Sequence, residues 1–396
     1  MTQVDALQAR RAEFAACCGL FAAGVYATSF GPAMPMLARD FAVSLATAGL
    51  LLTTFFAGSI FASASVALWL HRLDPRRIAI VGLFAAALGF AVLGAAANWH
   101  AALAATLLTG FGDGLLVAGV HLVVARASVD VARGMNRLNL YFAIGAIVGP
   151  LWSGALLEFV VAGRLIAFTG VALLIAAAAV FLSMASSPLT TASARPVEGE
   201  HRTVPFNIAA WLMGGVLFLY VGAEFGLGSW VASYAASEFH TGLFTGGVVT
   251  AIYWGALMLG RLMSGWLFAR GWDPLRVLFI AIAGALIASA AIAMADHVFL
   301  VAVAGAFATG FCLGPIWPAV LSIVAARSGG GAPASIVTLG NSGGVVFPWL
   351  QGGLMAWAGA AVGIALTPVL CAAMLLLAFV AKGMMSRYVV SNARGV

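Results

Sequence analysis

Apolar residues run through this chain in long unbroken stretches, and polar residues gather in the short breaks between them. Twelve such runs can be counted, at roughly 14–38, 44–70, 77–98, 101–126, 136–160 and 164–185, then 206–235, 241–269, 275–295, 298–326, 332–358 and 362–383. Each has the roughly 20 residues that an α-helix needs to cross the hydrocarbon core of a bilayer. The one long polar stretch, 186–205, divides six runs from six. The expected fold is an all-α membrane protein of twelve transmembrane helices. It is organised as two pseudo-symmetric six-helix bundles, 1–185 and 206–396, joined by a cytoplasmic linker at 186–205.

Charge supports that count. Only 8% of the residues are charged and 63% are hydrophobic, against about 25% charged in a soluble domain. Nearly all of the chain therefore belongs in the lipid bilayer, and the net charge of +6 points to loops rather than to nucleic acid. With the N-terminus in the cytoplasm, sixteen of the 19 Lys and Arg residues fall on the cytoplasmic side. Arg39 and Arg164 fall on the other side, and Arg261 lies inside a run. Basic residues concentrate on the cytoplasmic face of membrane proteins, so both termini are expected there. The first run is too long for a signal-peptide core and lacks a convincing cleavage site. Cys17, Cys18, Cys312 and Cys371 all lie in apolar runs. They read as small core residues, and no metal or cofactor is expected.

The seventh run holds Tyr220-Val221-Gly222-Ala223-Glu224-Phe225-Gly226-Leu227-Gly228-Ser229-Trp230. A charge at mid-membrane costs about 2.5–3.5 kcal/mol on insertion scales, and such residues by default mark an ion or solute path. Glu224 is therefore the first candidate; the plainer alternative is a protonated Glu bonded to a neighbouring helix. Asp113, between Gly112 and Gly114 in the fourth run, is the second. It reads as a proton-binding carboxyl or as an acid in a helix contact. His121 lies two turns further along the same run and could relay protons, bind solute or be satisfied by a neighbour. Arg261 could hold an anionic solute, pair with a carboxylate or snorkel to the interface.

Tyr26, Asn139, Trp230, Tyr253, Trp317 and Asn341 could line a central solute site, with Tyr141, Trp254 and Gln351 beside them. Aromatic faces and amides suit a sugar or a similar polar metabolite; helix packing is the plainer reading for most of them individually. Glu158 and Arg164 flank a short turn, where an interfacial role is expected. Pro32, Pro35, Pro315, Pro318 and Pro348 should kink their helices. No phosphate-binding loop and no nucleophile–base set is present, so the chain is not expected to be an enzyme.

The two halves repeat. Gly110-Phe111-Gly112-Asp113-Gly114 in the fourth run returns as Gly310-Phe311-Cys312-Leu313-Gly314 in the tenth. Leu73-Asp74-Pro75-Arg76-Arg77 returns as Trp272-Asp273-Pro274-Leu275-Arg276, and Gly145 and Pro150 return as Gly343 and Pro348. This six-plus-six plan, with its polar linker and basic loop after the second run, resembles the major facilitator superfamily. The loop motif of that superfamily is represented by Ala67, His71, Arg72, Asp74, Arg76 and Arg77. Its basic residues are kept, while the acid and both glycines are not. The resemblance implies a gating role for Arg72, Arg76 and Arg77.

Tyr220 to Glu224 with Gly228-Ser229-Trp230 and Tyr234, Gly260-Arg261, and Gly340-Asn341-Ser342-Gly343-Gly344 with Pro348 are similar to the fucose–galactose–glucose:proton symporter branch. The acid that the branch's sugar symporters carry in the first helix is absent; Tyr26, Thr28 and Ser29 stand at that depth. The resemblance implies a secondary transporter of the bacterial inner membrane. Asp113 and Glu224 would couple protons to uptake of a sugar or similar small polar solute by alternating access. Proton-driven efflux of drugs or metabolites is the alternative, followed by an uncoupled facilitator or sensor. Sodium coupling stays open, and a monomer is expected.

Overall fold

The structure is a computed structural model that describes residues 3–69, 73–128, 130–184, 208–295, 297–328 and 334–393. The linker at 186–205, together with His71 and Arg72 of the basic loop, lies outside the described residues. The first six apolar runs form α1 (Gln3–Asp40), the one-turn α2 (Leu45–Ala48), α3 (Leu50–Trp69), α4 (Pro75–Ala95), α5 (Trp99–Ala127), α6 (Val131–Phe159) and α7 (Gly163–Met184). The other six form α8 (Ile208–Phe239), α9 (Leu243–Ala269), α10 (Pro274–Ala293), α11 (Phe299–Leu313), α12 (Ile316–Ser328), α13 (Ala334–Ala358), the short α14 (Ala360–Ile364) and α15 (Leu366–Ala393). No strand occurs among the described residues.

Among the described residues, eleven helical segments are long and apolar enough to cross a membrane. The eleventh run, α13, spans 25 residues but is not among them, because Asn341 and Gln351 lower its mean hydropathy. The expected break in the tenth run falls between α11 and α12, at Gly314-Pro315. There proline has no N–H to give the preceding turn. The helices α1 and α13 continue through Pro32, Pro35 and Pro348.

The sequence repeat has a local structural counterpart. Asp74 caps α4 by accepting a hydrogen bond from the Arg76 N–H, with Pro75 at the first helical position. Asp273 caps α10 through the Leu275 N–H, with Pro274 in the same place. A carboxylate at this position satisfies a helix N–H that has no carbonyl of its own. A proline there costs nothing, since its missing N–H would be unpaired anyway.

Glycines set the helix crossings. A Cβ on Gly145 of α6 would lie 2.1 Å from the Phe21 carbonyl oxygen of α1. One on Gly343 of α13 would lie 1.9 Å from the Phe218 carbonyl oxygen of α8. This repeated pair thus marks the same backbone-to-backbone contact in both halves. In lipid, where tails are as apolar as side chains, such close approach is a main source of helix association. The tightest case is Gly110 of α5, whose Cβ would fall 1.8 Å from the Phe55 carbonyl oxygen of α3. Gly110→Ala is expected to push α3 away and destabilise the protein by about 1–3 kcal/mol. Thermal unfolding in detergent would register this as a lowered midpoint, and an unchanged midpoint would show that the crossing yields freely.

The chain forms two compact units. One comprises Met1–Ser193 with Gly228–Gly255, and the other Ala194–Leu227 with Ala256–Val396. The second half of α8 and the first half of α9 therefore pack with the N-terminal helices.

Candidate functional site

Asp113 in the first unit and Glu224 in the second each sit in a polar cluster. In the first, Gly114 sets α5 against α3, with its Cβ position 2.2 Å from the Ser59 carbonyl oxygen. That approach puts Ser59 within reach of the neighbouring acid. The Ser59 hydroxyl donates to Asp113 Oδ2 at 2.9 Å, and the Tyr26 hydroxyl of α1 donates to Oδ1 at 2.7 Å. Tyr26 is fully buried, packed between Phe55 and Phe90. Hydroxyls can donate or accept, so this cradle tolerates Asp113 with or without a proton.

In the second unit, Arg261 of α9 pairs with Glu224 of α8, Nη2 to Oε1 at 2.6 Å. The same nitrogen donates to the Tyr220 hydroxyl at 3.1 Å. Tyr220 and Glu224 are four residues apart, so they share a helix face. Gly314 brings the α11–α12 junction against α9, its Cβ position 2.7 Å from the Arg261 backbone nitrogen. From that junction Trp317 lays its ring 6.0 Å from that of Tyr220. Glu224 is almost fully enclosed, its side chain 4% exposed, while that of Arg261 is 29% exposed. An ion pair with one sheltered and one accessible member can be opened from the accessible side. Of the readings that the sequence left for Arg261, the structure shows the pairing with a carboxylate.

The other candidates fall into three groups. His121 is held by its own helix, its Nδ1 2.7 Å from the Val117 carbonyl oxygen. A carbonyl only accepts, so Nδ1 is the nitrogen that carries hydrogen in this contact. Trp230 and Tyr253 are fully buried, and Tyr253 stacks edge-on with Trp254. Asn139 and Asn341 are exposed. Of the basic-loop residues, Arg76 donates from Nε to the Leu182 carbonyl at 2.9 Å and from its terminal nitrogen to the Ser183 carbonyl. It thereby closes the end of α7. Arg77 lies 4.0 Å from Asp74 at the surface.

Three partners were not singled out from sequence. Ser59 is one of several hydroxyls in its run, and nothing local marks it. Tyr220 stood in the singled-out stretch, but its place four residues before Glu224 was the signal that it would share the acid's partner. Glu13 lies just before the first run. It is buried and lies 3.0 Å from Arg137 of α6, a pairing across 124 residues.

The sequence profile of the Major Facilitator Superfamily matches residues 16–348. The chain belongs to the Major Facilitator Superfamily. It is 22% identical over 342 residues to a glucose/galactose transporter of Brucella abortus (strain 2308), covering 81% of this chain and 82% of that one. It is 24% identical over 143 residues to the multidrug efflux pump SdrM of Staphylococcus aureus (strain N315), covering 35% of this chain and 32% of that protein. Among solved structures, a bacterial homolog of the human lysosomal transporter Spinster, inward-facing and occupied, superposes with a TM-score of 0.75. The match is at 15% identity over 95% of this chain and 96% of that one. The nucleoside transporter NupG superposes with a TM-score of 0.68 at 15% identity, over 96% of this chain and 99% of that one. These likenesses establish the fold. The protein is a multi-pass membrane transporter, and the relatives named are transporters rather than enzymes.

Proposed function

We propose that this transporter is a proton-coupled symporter that takes up a sugar or similar small polar solute by alternating access. Its two six-helix halves, 1–185 and 206–396, would rock about a central site, with both termini in the cytoplasm of a bacterial cell. The chain would act as a monomer. The observation that carries this reading is the Glu224–Arg261–Tyr220 network. A sheltered carboxylate held by a partly accessible guanidinium is a bistable element: proton or solute arrival favours the open pair, and departure favours the closed one. Asp113, cradled by two hydroxyls, supplies a second proton site. The glucose/galactose relative, matched over most of both chains, supports a sugar as the solute. Asn139, Asn341, Trp230, Tyr253, Arg261, Trp317, His121 and Tyr26 remain the proposed solute contacts, Tyr26 through the Asp113 cradle.

Solute-driven proton flow into liposomes tests the reading. Adding a neutral sugar outside vesicles that hold a pH dye is expected to acidify the lumen, and Glu224→Gln is expected to abolish the signal. Silence with every sugar, and lumen alkalinisation when a lipophilic cation meets acid-loaded vesicles, would reject uptake. That outcome would favour proton-driven efflux, the reading supported by the partial match to the efflux pump.

A further inference from the structure

The accessible part of Arg261 is turned away from lipid. Leu259, Leu262, Met263 and Trp266 are the large apolar side chains that α9 exposes, and they form the stripe that meets the bilayer. At 3.6 residues per turn, Arg261 lies roughly 150° round the helix from the centre of that stripe. The 29% of its side chain that is exposed therefore opens inward, where charged groups in membrane proteins are found. One turn further on, at Gly265, a Cβ would meet nothing within 4 Å. Half-buried Trp317 sets its ring 6.0 Å from that of Tyr220, whose hydroxyl accepts from Arg261. A guanidinium with reachable surface and an aromatic wall thus stand side by side.

Acids are scarce around this pair. Among the described residues of the second unit, the carboxylates are Glu224 and Asp273, and Asp273 caps α10. Of the nearby helices, α9 carries Arg261 alone, α11 and α13 carry no charged residue, and α12 carries only Arg327 near its end. The other acid of α8, Glu238, lies in its last turn and belongs to the first unit. Asp113, also in the first unit, has its two oxygens on Tyr26 and Ser59. A proton on Glu224 therefore leaves the guanidinium charge with no second carboxylate in the unit's helices to answer it. A sheltered charge that loses its counter-charge is strongly destabilising, and a neutral sugar has no charge to offer.

We propose that the preferred solute of this carrier is a sugar acid, whose carboxylate takes the place of Glu224 on Arg261. The inference rests on the proton-coupled uptake proposed above and names the solute class for it. In the exchange the contact between Arg261 Nη2 and Glu224 Oε1 opens, an O–H bond forms on Glu224 with a proton from outside, and the solute carboxylate binds the guanidinium. Charge is conserved. One cation and one anion stand in the site before, and one cation, one neutral acid and one solute anion stand there after. The planar guanidinium presents paired N–H donors that match the two oxygens of a carboxylate. Trp317 offers an aromatic face to the carbon skeleton of the sugar. Neutral sugars meet the same wall but leave Arg261 without a counter-charge, so they are carried less well.

Isothermal titration of the purified protein in detergent at pH 6 tests the preference with D-glucuronate, its uncharged methyl ester and D-glucose. Glucuronate is expected to bind on the order of tenfold tighter than either neutral sugar, the scale of a charge-assisted hydrogen bond. Glu224→Gln brings no charge to compete for Arg261 and is expected to bind glucuronate at least as tightly as the parent. Glu224→Gln combined with Arg261→Gln removes both charges together, keeps the fold and is expected to bind all three sugars alike. A role for Arg261 in stability alone would leave the three sugars equal in every protein. The proposal is overturned if the methyl ester or glucose binds the parent as tightly as glucuronate does. It is equally overturned if glucuronate binds none of the proteins, or if the double variant keeps the preference. Proton flow in liposomes separates this proposal from the reading beneath it. Glucose acidifying the lumen as strongly as glucuronate would keep symport and reject the sugar acid. A glucuronate preference lost in the double variant, with no acidification by any of the three, would keep the anion site and reject symport.

Discussion

Replacing Arg261 with alanine is expected to abolish concentrative transport and to destabilise the protein by about 3–5 kcal/mol. Arg261 meets Glu224 at 2.6 Å, and the carboxylate is sheltered from water. Truncating the guanidinium removes the charge that compensates it. The penalty of a sheltered charge without its partner exceeds what the intact pair contributes. The double variant Glu224→Gln with Arg261→Gln is therefore expected to recover most of the lost stability, because each desolvation cost leaves with its charge. Transport would not return with it.

Arg261→Lys keeps the charge but loses the planar fork. It is expected to fall between the parent and the alanine variant. Thermal unfolding of the parent, Glu224→Gln, Arg261→Gln and the double in one detergent gives the coupling energy directly. An Arg261→Ala protein that melts like its parent would refute the pair as a stabilising element. A double variant no more stable than the single would show that other contacts hold Glu224.

Asp113→Asn is expected to separate transport from the proton gradient. Accumulation of solute against its gradient should fall to background, while exchange of labelled for unlabelled solute continues. Asparagine keeps the shape of aspartate and can still meet both hydroxyls, since its oxygen accepts and its nitrogen donates to a rotated hydroxyl. The fold is expected to survive at a cost of about 1 kcal/mol, one ordinary hydrogen bond. Tyr26→Phe removes one of the two donors and is expected to slow coupled uptake only several-fold, within the range of a single such bond. The two assays run on the same vesicles. Asp113→Asn with unaltered uphill accumulation would remove Asp113 from the coupling, whatever it did to stability.

The order in which these residues became visible follows from range. Asp74-Pro75 and Asp273-Pro274 act on their own next turn, so their capping role lies within reach of a short stretch of sequence. Glycines at matched positions, such as Gly145 and Gly343, announce close crossings without naming the helix that is crossed. Arg261 is the middle case. Its cost in a membrane required a partner, yet sequence offered three kinds of partner and no means of choosing. The pairing with Glu224 spans 37 residues and depends on where α9 returns beside α8. Tyr26 is the plainest shift in emphasis. It read as a solute contact, and its hydroxyl is bonded to Asp113, 87 residues away. Glu158 read as a turn residue at an interface, and it caps a helix 86 residues on.

What the sequence determined alone is the class, the span pattern and the family. Bilayer thickness sets the length of each apolar run. The hydrocarbon core leaves helices and closed barrels as the only solutions for the backbone, and runs of this length admit only helices. The repeated glycines and loop caps carry the duplication. Which intramembrane groups touch which was decided by the tertiary structure. A hydrogen bond or ion pair is made over about 3 Å, and only the crossing of helices distant in sequence brings Tyr26 and Ser59 to Asp113, or Arg261 to Glu224, at that distance.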